Sequence, residues 1–300
     1  MESYITFVKE LVAKGGPEPA DYDDIDKWLN QVARDVKRGE LTKNDVQELQ
    51  HAFGSALTDL RTLQGLSYQK PRGYAGDFEM IDRIYQKSYC PNATLIRWDR
   101  YYHATPAARA VRNRKKYFKD LMHNLEATVP GDGPIHVLNV ASGPARDVFE
   151  FLSGEHKGRI RFDCIDNDAE AITYSSIVCQ EFAHQTNFIR TNAFRYRSER
   201  PYHLIWSAGL FDYLDERRFT FLIRRLYPML APGAEMVVGN FSEENPTRNF
   251  CEVMLDWFLI HRSPEEMRRL ALLCGIPEAL VRVDAEPEGI NLFLHMQQAG

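Results

Sequence analysis

Apolar positions recur at two different spacings along the chain, and the change from one to the other falls near residue 130. Ahead of it the spacing is helical. Ile25, Trp28, Leu29, Val32 and Val36 lie three or four residues apart behind Asp21, a residue type that caps helices, and Val46, Leu49, Phe53, Leu57 and Leu60 repeat the pattern behind Thr42. Between Tyr68 and Tyr85 the run YQKPRGYAGDFEMIDRIY places Pro71, Gly73 and Gly76 where they break regular structure, and a short helix resumes at Phe78. A further helix is expected over Ala107 to Leu125, and VPGDGP, Val129 to Pro134, reads as a linker.

Behind that linker, short runs rich in Val and Ile alternate with helical stretches. The candidate strands are Ile135 to Val140, Ile160 to Asp166, Asn187 to Ala193, Tyr202 to Ala208 and Glu235 to Asn240. Such alternation predicts a parallel sheet covered by helices on both faces. Leu280 to Ala285 and Ile290 to Met296 add two strands joined by a tight turn at Glu286–Gly289, and strands so closely linked must pair antiparallel. The expected organisation is a helical domain over residues 1–130 and an α/β domain over 131–300.

Composition narrows the function classes. The 300 residues are 44% hydrophobic and 26% charged, an ordinary globular balance. A net charge of -5 provides no overall field for nucleic acid. The basic clusters Arg112–Lys116 and Arg217–Arg225 alternate with apolar residues as solvated helix faces do. Charges interrupt the first ten residues, and no uncharged apolar stretch reaches membrane-spanning length, so a cytoplasmic protein is expected. The five cysteines are odd in number with no CxxC spacing, and the histidines form no HExxH, so no built-in metal site is expected.

The chemistry concentrates in HVLNVASGPARDVFEFL, His136 to Leu152, a strand that runs through a turn of small residues into an amphipathic helix. Ala141, Gly143 and Ala145 keep side chains away from whatever approaches the turn. Together with the strand ends that follow, this resembles the nucleotide-binding region of class I S-adenosylmethionine (SAM) dependent methyltransferases. The usual first motif there is an acidic residue followed by GxGxG; here Asn139 replaces the acid, and alanines replace two glycines. The resemblance implies a Rossmann-like, seven-stranded, mostly parallel sheet with an antiparallel C-terminal strand, and SAM as cofactor. It implies cofactor contacts from Asn139, Ala141, Ser142 and Gly143. At the second strand's end it implies Asp166, with Asn167, for the ribose hydroxyls, although Asp168 competes with Asp166 and is equally placed to cap the next helix. Asn192 and Ala193 would face the adenine edge, Ser207 would lie at the end of the fourth strand, and Arg112 would meet the methionine carboxylate.

For the acceptor, Phe211 and Tyr213 in WSAGLFDYLDE, and Arg72, Tyr74 and His103 in the helical part, have the chemical types needed. Arg72 and Phe211 are the substrate-binding candidates, and Tyr74, His103 and Tyr213 those for placing the acceptor or removing its proton. The set PRGYAGDFEMID, AVRNR, VLNVASGPARD and SAGLFDYLDE is further similar to a bacterial methyltransferase subfamily linked to 3-hydroxy fatty acid methyl esters. A small-molecule acceptor, no nucleic acid and no membrane span are expected, with a homodimer open. Two alternatives stand: a non-catalytic ligand-binding module on this fold, and a nicotinamide-dependent oxidoreductase, which the large Arg146 at its third glycine position disfavours.

Overall fold

The computed structural model describes all 300 residues, and the chain packs as two compact units. One comprises Met1–Arg109 with Pro246–Phe258; the other comprises Ala110–Asn245 with Leu259–Gly300.

The first unit is helical: α1 (Glu2–Ala13), α2 (Tyr22–Arg38), α3 (Lys43–Ala52), α4 (Ser55–Thr58), α5 (Leu63–Gln69), α6 (Phe78–Gln86) and α7 (Ile96–Ala104). Thr42 caps α3 as expected, accepting the Asp45 N–H, while Asp45 accepts the Thr42 N–H in return. Asp21 departs from its expected role. Its carboxylate bonds the Glu18 N–H and Lys14 in the turn before α2 and leaves the helix N-terminus alone. The helix expected from Val46 to Leu60 is broken at Gly54, whose φ of 53° belongs to the left-handed region, and Leu60 ends on the surface. Trp28 gathers Tyr4, Phe7 and Phe53 around it, and the returning segment sets Phe250 edge-on to Tyr101 and Tyr102.

α8 (Pro106–Thr128) runs through the boundary between the units, so the division falls at Arg109 rather than near residue 130. The reason is packing. Phe118 and Met122 of α8 are fully buried in one core with Val137, Phe162 and Trp206 of the sheet, and VPGDGP is only the turn from α8 into the first strand.

The sheet contains β1 (Ile135–Val140), β2 (Ile160–Asp166), β3 (Thr186–Arg190), β4 (Tyr202–Ser207), β5 (Leu230–Phe241), β6 (Val281–Ala285) and β7 (Asn291–Gln297), in the order β3-β2-β1-β4-β5-β7-β6. β7 runs antiparallel to both neighbours, and the other pairings are parallel, as the alternation and the C-terminal turn predicted. Between strands lie α9 (Arg146–Leu152), α10 (Ala169–Val178), α11 (Glu216–Leu226) and α12 (Pro264–Leu273). α8 and α9 fill the core on one face, and α11 and α12 fill that on the other.

Arg262, with no solvent exposure, fastens the carboxyl ends of β4 and β5 together. Its guanidinium donates to the Phe211 and Leu214 carbonyls and to Asn240 Oδ1 (2.6 Å), and it lies over the Phe219 ring. Beside it, the buried Asp212 accepts the Phe241 N–H at 2.6 Å, and the Asp212 carbonyl accepts the Ile260 N–H. Burial pushes the Asp212 carboxyl up to about 6, against the opposing pull of Arg114 and Arg262.

Two outcomes follow from this clamp. Arg262→Met, similar in size but without donors, strands several buried acceptors and should cost about 3 kcal/mol or more in chemical unfolding; an unchanged midpoint would show that the clamp is dispensable. An acid whose native pKa is raised carries no penalty below its unfolded pKa and a growing one as pH climbs through about 6. Asp212→Asn should therefore gain about 2–3 kcal/mol relative to the wild type between pH 4 and pH 7. A pH-independent difference between the two unfolding free energies would refute the assignment.

Candidate functional site

The carboxyl ends of β1, β2 and β4 meet around the turn that follows β1. Ala141, Gly143 and Ala145 have φ of 53°, 53° and 49°, so three alternate residues are left-handed and two of them carry a Cβ. Such a conformation costs an alanine about 1 kcal/mol or more, and strain of this kind persists where the surroundings enforce it. Enforcement comes from β2. Ser142 N–H donates to the Ile165 carbonyl, and Gly143 N–H donates to Asp166 Oδ2 at 2.9 Å. Two buried polar atoms at this place have no hydrogen-bond partner within the protein: Ser142 Oγ and Asn139 Nδ2. Unsatisfied groups are costly inside a protein and mark a place where a ligand or solvent completes the bonding.

The helix after the turn is less open than expected. α9 is only seven residues long, and its Val148 N–H is taken by the buried Asp147 carboxylate at 2.9 Å. Burial pushes Asp147 up to about 6, opposed by Arg114 and Lys115.

At the end of β2 the two rival acids separate. Asp168 caps α10, accepting the Glu170 and Ala171 N–H groups, and so takes the structural role. Asp166 stays half-buried at the strand's end, each oxygen already accepting one backbone N–H, and burial raises its pKa. A carboxylate oxygen has a second lone pair, so acceptor capacity remains. Asn167 is exposed. Asn192, also exposed, spends its Oδ1 on the Phe194 N–H, which leaves its amide N–H groups as the part able to meet a ligand; Ala193 packs on the core.

The β4 end corrects two expectations. Ser207 is fully buried and its hydroxyl donates to the Val140 carbonyl, so it ties β4 to β1 instead of facing a ligand. Phe211 is likewise core, edge-on to Phe219 at 4.8 Å, because the Arg262 clamp draws this turn inward. Tyr213, 38% exposed, lines a recess with Phe194, Leu214 and Phe221. The arginine at the strand ends is Arg114 rather than the half-buried Arg112. Arg114 is 5% exposed, and its Nη1 lies 3.5 Å from the Ala208 carbonyl and 3.0 Å from where a Cβ on Gly209 would stand. It sits within electrostatic reach of both Asp147 and Asp212. Helical spacing could not choose between Arg112 and Arg114, because the choice depends on how α8 is rotated against the sheet.

Arg72, Tyr74 and His103 belong to the first unit. Arg72 pairs with Asp77 and Glu79, each at 3.0 Å, and lies over the Phe78 ring; this bracing of the α6 N-terminus engages the guanidinium expected to hold a substrate. His103 is buried, donates from Nε2 to the Ser88 carbonyl at 2.7 Å and packs on Tyr89, an anchoring role rather than a proton carrier's. Tyr74 remains 40% exposed. No helix is long and apolar enough to cross a membrane.

No family model and no curated protein matches the sequence. Solved structures do match in fold. A possible exported protein from Bordetella parapertussis superposes with a TM-score of 0.61 at 17% identity, over 75% of this chain and 80% of that one. The CMeT domain of the citrinin polyketide synthase gives 0.55 at 14% identity, over 85% and 69%. The CurJ carbon methyltransferase gives 0.50 at 12%, over 79% and 70%. With its strand order and helical N-terminal region, the chain has the Rossmann-like α/β fold of the methyltransferases.

Proposed function

We propose that this protein is a SAM-dependent methyltransferase with a small-molecule acceptor. The observation that carries the reading is the left-handed turn after β1, with the unpartnered Ser142 Oγ and Asn139 Nδ2 buried beside it and Asp166 fixed across it. A site of this kind suits a nucleoside. Asp166 would accept the ribose hydroxyls, the Asn192 amide would donate to the adenine edge, and Arg114 would pair with the amino-acid carboxylate. Bound there, SAM supplies a methyl group made electrophilic by its sulfonium.

The chain's own task is then positioning and exclusion of water, since charge disperses as a methyl group leaves a sulfonium. A carboxylate acceptor needs no base, and the narrower similarity to the 3-hydroxy fatty acid methyl ester subfamily favours an acid of that kind. Tyr213 is the exposed phenol nearest the β4 end and is the side chain proposed to orient the acceptor. The rival reading, a binding module without turnover, draws on the prior engagement of Asp166 and Asn192 by backbone N–H groups.

Calorimetric titration should show binding of SAM and of its demethylated product, S-adenosylhomocysteine. Loss of a charged acceptor is worth about 1.5–3 kcal/mol, so Asp166→Ala should weaken both about tenfold or more, and Gly143→Val should abolish binding because φ of 53° excludes a branched side chain. Wild-type affinity in a folded variant of either kind would end the proposal. Release of S-adenosylhomocysteine on addition of small carboxylic acids separates enzyme from binding module.

Arg114→Met should weaken SAM about tenfold or more while leaving methylthioadenosine, which lacks the carboxylate, within about twofold of the wild type. Equal losses for both ligands would mean that Arg114 only supports the fold.

A further inference from the structure

One helix is missing from the second face of the sheet. Parallel strands are joined by right-handed crossovers, so α9 and α10, leading outward from β1 to β2 and β3, lie on one face. The return from β3 to β4 and the step from β4 to β5 must therefore lie on the other. The latter has α11; the former, residues 191–201, contains no helix. Under this irregular segment the sheet is polar: Tyr196 donates to Tyr202, Tyr202 to Asp163, and Asn187 to the same carboxylate.

What remains open beside α11 is a groove of about 790 Å³, lined by Arg197, Arg224 and Arg225 around an apolar strip of Phe221, Pro228 and Met229. A recess of about 460 Å³ shares Phe221 and adds Arg217 and Arg218. Phe221 is 52% exposed, and its ring stacks on Phe194. Arg197 and Arg217 have no carboxylate partner; Arg224 and Arg225 donate to the Leu273 and Arg195 carbonyls, and Arg225 Nε is buried without a partner. Glu199 is the one acid in the groove, and Glu216 at the head of α11 is held by Arg269.

We infer that this gap is a docking site for an acidic amphipathic helix of a partner protein, which would complete the second layer. The apolar strip offers the floor that such a helix buries, and the arginines on both walls complement carboxylates flanking its apolar face. A helix in the groove would lie along α11, whose 11 residues extend about 16 Å, three turns of contact. Nucleic acid fits less well. The basic strip is no longer than α11, Glu199 and Asp215 interrupt it, and the chain around it has a net charge of -5.

The inference rests on the sheet and not on the proposed methyl transfer, so the two can fail separately. The probe is a fluorescent peptide of about 16 residues with Leu at i, i+3 and i+4 spacing and Glu elsewhere, compared with its Lys counterpart and with single-stranded RNA of similar length. The acidic peptide should bind the full chain, more weakly as salt is added. The double variant Arg197→Ala with Arg217→Ala, and separately Phe221→Ala, should each weaken it about tenfold. These exposed positions should leave the unfolding midpoint and SAM affinity unchanged. The idea is overturned if the acidic peptide does not bind, if the Lys peptide or the RNA binds as tightly, or if the variants bind like the wild type.

Discussion

A parallel sheet has to bury both faces, and that constraint leaves its carboxyl edge as the place where backbone and polar side chains can meet a ligand. In this chain the two faces are closed by α8 and α9 on one side and by α11 and α12 on the other. The edge must then be held open and in register without help from either core. Arg262 does this at β4 and β5, and the bonds from Ser142 and Gly143 to β2 do it at β1. Each fastening uses polar groups in places where water is scarce, so removing one partner costs more than the bond itself contributes.

The same scarcity of water shapes the charges. Asp147 and Asp212 are both pushed up to about 6 by burial, and Arg114 lies within reach of each. A single buried cation between two reluctant carboxylates is electrostatically underused near neutral pH when either acid is protonated, and an added carboxylate would find a ready partner. Buried ion pairs are weak evidence for stability, since desolvation offsets much of their attraction. Their retention at a ligand-facing edge is easier to understand as preorganisation, with the cost borne in folding and recovered on binding.

Periodicity alone recovered the sheet because burial on two faces forces apolar runs of strand length, and those runs appear at every one of the seven strands. The helices of the first unit were legible where a cap and a period agreed, as at Thr42, and misread where a glycine broke a continuing apolar pattern, as at Gly54. At the site, residues whose roles follow from backbone position were readable: Gly143 in the turn, and Asp166 and Asp168 as a pair whose roles geometry then separated. Ser207, Phe211, Arg72 and His103 misled because residue type suggests chemistry while partners decide it. Each is engaged by a group distant in sequence or invisible to pattern, such as the Arg262 clamp behind Phe211.

Strain in the β1 turn explains why alanine suffices where glycine is usual for such a turn. Ala141 and Ala145 each bear the cost of a left-handed conformation, roughly 1–2 kcal/mol apiece, and Ala145 is fully buried against Val148 and Phe151 in the core beneath. A methyl group there adds apolar burial that glycine lacks, of the order of 0.8 kcal/mol per buried carbon, and restricts the unfolded chain as well. Strain and burial then nearly cancel, and the turn becomes stiffer. Gly143 is different. Its N–H is committed to Asp166 and its neighbour Ser142 is buried, so it is the middle of the three left-handed residues and the one that keeps no side chain at all. The substitutions that stiffen the turn stand at its two ends, and the bare backbone is kept at its centre, where the approach of a ligand would be closest.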